Sequence, residues 1–151
     1  MCWRLSGGVQ HRSCYHKTLL ATDFNHYLGI RISRKHANGV TVECPMRKEL
    51  LNFAGVLHGG VTATLADVAV GQALMQRGHK TTTVELKINY LRPVSGSKVT
   101  ARSHLLRIGK RLSTARVDVF DDKKNLAAVA LVTYMLLDGS SRRAARPYQR
   151  P

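Results

Sequence analysis

The stretch of residues 59–76 constrains the fold most, because it is apolar on nearly every side when it is drawn as a helix. Its apolar members are Val61, Ala63, Leu65, Ala66, Val68, Ala69, Val70, Ala73, Leu74 and Met75. Gly78 marks the predicted end of the helix. A helix that is apolar all round has to be covered by other parts of a protein. The sequence therefore predicts one buried, central helix.

The segments around this helix have the patterns of strands. Residues 29–45 predict a hairpin, because Asn38-Gly39 is a strong turn signal. Four further strands are predicted at 81–94, 99–108, 111–120 and 125–137. Short connections indicate antiparallel neighbours, so these four are expected to form a meander. With a short helix over 19–28, the order predicts an α+β domain in which an antiparallel sheet curls around one long helix.

The first of these four strands alternates strictly. One face is predicted to carry Val84, Leu86, Ile88 and Tyr90, and the opposite face Thr83, Glu85, Lys87 and Asn89.

Length and charge limit the organisation of the chain. The 151 residues fit one domain, predicted at 21–138, and no apolar run is long enough for a membrane span. The formal net charge is +15, and both ends are basic and free of acids. We expect a poorly ordered basic extension at 1–20 and a disordered tail at 139–151. Such charge attracts polyanions, so nucleic acid, a membrane surface and a phosphorylated ligand are all candidates.

Three cysteines without a paired spacing argue against a disulfide framework and against a zinc site. A reducing, cytoplasmic compartment fits this cysteine usage. A mitochondrial location is the alternative, because the basic, acid-poor N-terminus has the composition of a transit peptide.

Asp67 is the only ionisable residue in the predicted helix. A carboxylate among apolar neighbours is costly unless it is paired or lies in a polar pocket. Small residues three and four positions away, such as Ala63 and Gly71, leave room for a ligand or for a close backbone approach. Alternatively, Asp67 has a structural role and accepts a hydrogen bond from Thr64 or from a nearby loop.

The segment before the helix, residues 52–60, ends in His58-Gly59-Gly60. The first N–H groups of a helix have no internal partner and lie at its positive end, where they can hold a developing oxyanion. Gly59 and Asp67 would be roughly 12 Å apart along the axis. General-base chemistry needs contact distances of about 3 Å. We therefore expect two antiparallel copies of the helix, in a homodimer, to complete each other's sites.

These residues resemble the hotdog-fold acyl-CoA thioesterases of the phenylacetic-acid-degradation (PaaI) type. The pattern N-x-x-G-x-x-H-G-G followed by an aspartate is complete here, in Asn52, Gly55, His58, Gly59, Gly60 and Asp67. The resemblance continues through 83–93 and 107–110 and covers roughly residues 20–137. It implies a hotdog fold, dimers that often pair into tetramers, and acyl-CoA hydrolysis without a metal or other cofactor.

The resemblance also implies roles for individual residues. Asp67 would be the general base or the nucleophile, and the amide of Gly59 would polarise the thioester carbonyl. Asn52 and His58 would position that carbonyl and the loop, and Thr83 would orient the water or the carboxylate. Binding of substrate and coenzyme A is expected at Gly60, Tyr90, Arg92, Arg107, Gly109, Lys110 and Arg111.

Three alternatives remain at this point. A non-catalytic acyl-CoA sensor would keep the pocket without the base, and Asp67 argues against it. A hotdog hydratase or dehydratase would pair a catalytic histidine with a carboxylate in another motif. A nucleic-acid binder is suggested by charge alone, but the basic strands lack interleaved aromatic residues, so no specific nucleic-acid partner is expected.

Overall fold

The computed structural model describes residues 24–137. Its elements are α1 (Phe24–Leu28), β1 (Arg31–His36), β2 (Gly39–Pro45), α2 (Gly59–Met75), β3 (Lys80–Tyr90), β4 (Lys98–Ile108), β5 (Leu112–Phe120) and β6 (Leu126–Leu137). The predicted hairpin, long helix and four later strands are confirmed. The extension 1–20, the start of the predicted first helix and the tail 139–151 lie outside the described residues. Within 24–137, no helix is both long and apolar enough to cross a membrane.

The six strands form one antiparallel sheet in the order β1-β2-β4-β5-β6-β3. The predicted meander is wrong for β3, which pairs with β6, whereas β4 pairs with β2. The reason lies in residues 91–97, which form a crossover and not a tight turn. Val94 is buried in this crossover, and its carbonyl accepts the N–H of Leu57 at 2.9 Å. The crossover therefore packs beside the start of α2 and leads the chain to the far side of the sheet.

Helix α2 packs against the concave face of the sheet through small side chains. Ala66, Ala69 and Ala73 on the helix are fully buried, as are Ala101 and Ala115 on the facing strands. Alanines at the contact allow a helix and a sheet to approach closely, which improves dispersion contacts. The predicted α+β architecture, a sheet wrapped around one helix, is confirmed.

The Ser103 hydroxyl links three elements at this contact. It accepts the N–H of Val40 at 3.0 Å and lies 3.0 Å from the carbonyl of Ala69, to which it donates. Gly39 is required beside it, because a Cβ there would lie 1.9 Å from the carbonyl oxygen of Ser103.

One side of α2 is left partly open by the sheet of the same chain. The partly exposed residues on α2 include Val61, Ala63, Thr64, Asp67, Val68, Gly71 and Gln72. The expectation of a helix buried all round is thus met on one side only within a single chain. The open side carries Asp67, together with apolar and small residues.

A β-bulge in β3 changes the predicted faces of this strand. The register with β6 shifts between Thr83, which pairs with Tyr134, and Glu85, which pairs with Thr133. Val84 is the extra residue and is 53% exposed. The prediction that Thr83 lies on the face opposite Leu86 and Tyr90 is wrong, since the bulge turns Thr83 towards α2. Bulges often aim side chains in this way beside active sites.

Candidate active site

The loop before α2 closes on the side chain of Asn52. Its Oδ1 accepts the N–H groups of Ala54 at 2.9 Å and Val56 at 3.3 Å. The backbone N–H of Asn52 donates to the carbonyl of Val56 at 2.8 Å. Gly55 takes the positive φ of 75° that the tight turn requires. Asn52 therefore holds the loop that leads into α2, which is one of the two roles expected for it.

His58 is the N-cap of α2. Its backbone is extended, and its Nδ1 accepts the N–H of Gly60 at 3.0 Å. The carbonyl of His58 accepts the N–H groups of Val61 and Thr62. Since Nδ1 is an acceptor here, the ring is in the form that carries its proton on Nε2.

Capping leaves one N–H at the start of α2 without an acceptor in the described part of the chain. Of the first four N–H groups of the helix, those of Gly60, Val61 and Thr62 are engaged. The N–H of Gly59 has no acceptor among residues 24–137. An unpaired N–H at the positive end of a helix can stabilise negative charge on a bound ligand.

Eight residues along α2, the carboxylate of Asp67 meets two hydroxyl groups. Thr83 Oγ1 donates to Oδ1 at 2.9 Å, and the Tyr134 hydroxyl lies 2.7 Å from the same oxygen. The alternative donor considered for Asp67, Thr64, instead donates to the carbonyl of Gly60. Within the described part of the chain, Oδ2 receives no hydrogen bond.

Tyr134 is the residue of this cluster that sequence reasoning missed. It is only 5% exposed, and burial, as the main cause, raises the pKa of its hydroxyl well above the usual range. The alternation of β6 places Tyr134 inward with Ala130 and Val132. A buried tyrosine usually has a hydrogen-bond partner for its hydroxyl. The inward position of Tyr134 in the alternating strand was therefore the sequence signal that could have indicated a polar contact.

The space beside Asp67 is occupied by this tyrosine. A Cβ at Gly71 would lie 3.0 Å from the hydroxyl oxygen of Tyr134. The small residue at position 71 was expected to leave room for a ligand or for a close backbone approach. Instead, the lack of a side chain at Gly71 makes room for Tyr134 of the same chain.

Tyr90 and Arg92 lie at the other end of α2. The hydroxyl of Tyr90 donates to the carbonyl of Gly59 at 2.9 Å. Both residues line an open cleft of about 390 Å³ together with Gly59, Thr62 and Val56. Gly60 is exposed on the first turn of the same helix. Three of the expected binding residues thus lie at the Gly59 end.

The remaining expected binding residues lie at the turn between β4 and β5. The N–H of Gly109 closes this turn on the carbonyl of Leu112 at 2.8 Å, and the carbonyl of Arg111 accepts the N–H of Leu136. Ser113, which follows the turn, pairs with Tyr134. Arg107, Gly109, Lys110 and Arg111 are therefore on the side of Asp67. The structure divides the predicted binding set into two groups that match the two halves of the predicted catalytic set.

The described residues contain no group of three or more His, Cys, Asp or Glu side chains that could hold a metal ion.

Comparison with known proteins shows which family has this arrangement. The model of the thioesterase superfamily matches residues 54–128. The medium/long-chain acyl-CoA thioesterase YigI of Escherichia coli is 32% identical over 131 residues, with 75% of this chain and 84% of YigI covered. The chain belongs to the thioesterase superfamily. It is a thioester hydrolase, and the family expectation from the 52–67 motif is confirmed.

Solved structures of this superfamily share the fold. A thioesterase from Haemophilus influenzae superposes with a TM-score of 0.73 at 26% identity, covering 78% of this chain and 85% of its own. The phenylacetic acid degradation protein PaaI of Thermus thermophilus gives a TM-score of 0.70 at 28% identity, covering 76% of this chain and 98% of its own. The hotdog fold and the similarity to PaaI-type thioesterases are thus confirmed.

Proposed function

We propose that this thioesterase hydrolyses acyl-CoA thioesters at sites that two copies of the chain share. YigI is named as an acyl-CoA thioesterase, and so is acyl-coenzyme A thioesterase 13 of the mouse. The mouse protein is 38% identical over 80 residues, with 51% of this chain and 57% of its own covered. A medium or long acyl chain is the first substrate class to test.

The proposal rests mainly on one observation: the N–H of Gly59, which has no acceptor within residues 24–137, and the carboxylate of Asp67 lie at different positions on α2. Eight residues of helix separate them by roughly 12 Å. A thioester carbonyl needs its oxyanion donor and its base at contact distance from the same few atoms. Two antiparallel copies of α2 bring Gly59 of one chain to Asp67 of the other, and closed two-fold symmetry then forms two such sites.

The surface around α2 is suited to such pairing. The open side of the helix holds Val61, Val68 and Asp67, all partly exposed. Among the strands of residues 24–137, β3 lies at an edge of the sheet, with Val84 and Tyr90 each 53% exposed. An edge strand with unpaired backbone groups is a template for pairing with another strand. A second copy would cover both surfaces at once.

The chemistry in such a site uses no metal. The thioester carbonyl accepts a hydrogen bond from the N–H of Gly59, and Oδ2 of Asp67 takes a proton from water. The water oxygen bonds to the carbonyl carbon, the C–S bond then breaks, and coenzyme A leaves as a thiolate that takes up the proton. A positioned base contributes about 10²–10⁴-fold and one oxyanion donor about 10²–10³-fold.

Coenzyme A would be held by both groups of predicted binding residues. Tyr90, Arg92 and Gly60 of one chain border the cleft at the Gly59 end. Antiparallel pairing of α2 would bring the β4–β5 turn of the second chain, with its exposed Lys110 and Arg111, towards that cleft. Exposed cations at both edges suit the phosphate groups of coenzyme A.

The test is thiol release from short, medium, long and aromatic acyl-CoA thioesters by the wild type and by Asp67→Asn. Asparagine keeps an oxygen that accepts hydrogen bonds from Thr83 and Tyr134, but it cannot take the proton. We expect turnover of at least one thioester class, reduced about 10²–10⁴-fold by the substitution. Binding of acyl-CoA without turnover of any thioester would indicate the sensor alternative.

A single turnover in ¹⁸O-labelled water tests for an anhydride between Asp67 and the acyl group that water opens at the aspartyl carbon. If Asp67 acts as the base, label enters the acid product and not the side chain. Label in the Asp67 carboxylate would show direct attack on the thioester by this residue.

A further inference from the structure

We infer that Tyr134 is a positioning residue for Asp67, which acts with Thr83 to occupy Oδ1 and to leave Oδ2 as the reacting oxygen. This inference rests on the proposed function, in which Asp67 is the base. It adds a residue from β6 that lies outside the motif around α2.

The geometry indicates that the Tyr134 hydroxyl donates its hydrogen bond to the carboxylate of Asp67. The hydroxyl oxygen lies 2.7 Å from Oδ1 and 2.8 Å from the backbone carbonyl of Asp67. That carbonyl belongs to the backbone of α2. A carboxylate is a stronger acceptor than an amide carbonyl, so the single hydroxyl proton points to Oδ1.

Two donors on one oxygen fix the whole carboxylate. Thr83 Oγ1 approaches Oδ1 from β3, and Tyr134 approaches it from β6. These two residues are direct cross-strand partners, so their separation is set by the sheet. The rotation of the carboxylate about its terminal bond is broad in the absence of such contacts. With Oδ1 held by two neighbours, Oδ2 is the carboxylate oxygen without a hydrogen bond among the described residues.

Packing makes the position of the Tyr134 hydroxyl definite. Tyr134 is 5% exposed, and its ring cannot swing into solvent without leaving the core. Gly71 faces the hydroxyl, and a Cβ at this position would lie 3.0 Å from the hydroxyl oxygen of Tyr134. Burial also raises the pKa of Tyr134, so the group stays protonated and remains a donor at neutral and moderately alkaline pH.

The central test is Tyr134→Phe, which removes the hydroxyl and keeps the ring. We expect kcat to fall about 10- to 100-fold, because the carboxylate is then held by Thr83 alone and leaves the orientation in which Oδ2 can take the proton. KM should stay within about twofold, because Tyr134 acts through the carboxylate and not through substrate binding.

A matched control separates positioning from the general stability of α2. Ser103→Ala removes another buried hydroxyl that bonds a carbonyl of this helix, at Ala69, without contacting the carboxylate. We expect Ser103→Ala to lower the melting temperature and to leave kcat of the folded enzyme unchanged. Equal losses of kcat in both variants would show that Tyr134 only stabilises the helix, and would overturn the inference.

One further variant, Gly71→Ala, keeps the inference testable if Tyr134→Phe folds poorly. It adds a methyl group against the hydroxyl and should lower kcat, while the helix preference of alanine offsets part of the packing cost. Thr83→Val combined with Tyr134→Phe should lose less than the product of the two single effects, because both donors serve one oxygen.

The outcomes distinguish this inference from the proposed function. A wild type without turnover, or Asp67→Asn with full activity, would reject the function. An active wild type and an inactive Asp67→Asn, together with fully active Tyr134→Phe and Gly71→Ala, would reject the positioning role of Tyr134 alone.

Discussion

At the scale of single residues, His58 shows how a ring nitrogen can organise a site through the backbone. Its Nδ1 occupies the N–H of Gly60, and its carbonyl occupies those of Val61 and Thr62. The N–H of Gly59 is left as the one free donor of the first turn within the described chain. His58 therefore determines which N–H can act as the proposed oxyanion donor, because it accepts hydrogen bonds from the three N–H groups that follow Gly59.

A pair of substitutions tests this role of His58. His58→Ala removes the cap and should cost about 0.5–2 kcal/mol in the free energy of unfolding, with lower turnover because the first turn frays. His58→Asn offers an oxygen that can cap the same N–H and should restore both quantities. Urea denaturation and kcat measure them. A stable but inactive asparagine variant would show that the Nε2 side of the ring takes part in the reaction.

The motif residues could be predicted from the sequence, but their hydrogen-bond partners could not. Asp67 stands out as one charge in an apolar helix, and the glycines mark its start. Tyr134 is 67 positions away from Asp67, and only the pairing of β6 with β3 brings it to the carboxylate. Pairing between strands that are distant in sequence depends on the whole sheet, so local patterns do not reveal it.

At the scale of elements, the first turn of α2 offers a direct test of the oxyanion donor. Gly59 is the first helical residue, and His58 before it has φ −62° and ψ 134°, which suits a following proline. Gly59→Pro should therefore fold while lacking the proposed donor. We expect kcat to fall about 10²–10³-fold, as measured by thiol release.

Gly59→Ala is the control for steric effects in that experiment. Its Cβ would lie 3.3 Å from the half-exposed ring of Tyr90, as a proline Cβ would, but its N–H is retained. The alanine variant should keep most of its turnover. Equal losses in both variants would assign the effect to the displaced Tyr90 ring and not to the donor.

Strand β3 shows why the presence of an element was easier to predict than its end, its pairing and its faces. Its alternating residues predicted a strand over 81–94, and the structure confirms the strand but ends it at Tyr90. The bulge at Val84 has no sequence signal such as glycine, so strict alternation placed Thr83 on the wrong face. The crossover 91–97 likewise gave no local sign that β4 would pair with β2.

At the scale of the whole molecule, three histidines predict a loss of stability in mild acid. The pKa values of His36, His79 and His104 are lowered from 6.5, mainly by burial and then by cations such as Arg102 and Arg77. The unfolded chain therefore binds more protons below pH 6.5, and stability falls as the pH drops from 6.5 towards the folded-state values.

Melting curves test this pH dependence. The melting temperature should be lower at pH 5.5 than at pH 7.5, two values on either side of the unfolded histidine pKa of about 6.5. His104→Gln should flatten part of that slope, because one depressed titration is removed. A slope that is unchanged in this variant would exclude His104 as a contributor.

Subunit complementation tests whether two chains share each active site. Asp67→Asn and Gly59→Pro chains with different tags are coexpressed, the mixed dimers are verified by sequential affinity steps, and thiol release is measured. In a mixed dimer, one site would combine the intact Asp67 of one chain with the intact Gly59 of the other, and the second site would contain both substitutions. If the chains pair at random, half of the dimers are mixed, so the unseparated mixture should recover about a quarter of wild-type activity.

The control mixture is Asp67→Asn with Thr83→Val, whose defects lie in the same half of the site and should not complement. We expect recovery of activity in the first mixture and none in the second. Verified mixed dimers of Asp67→Asn and Gly59→Pro that stay as inactive as either parent would contradict a site built from two chains.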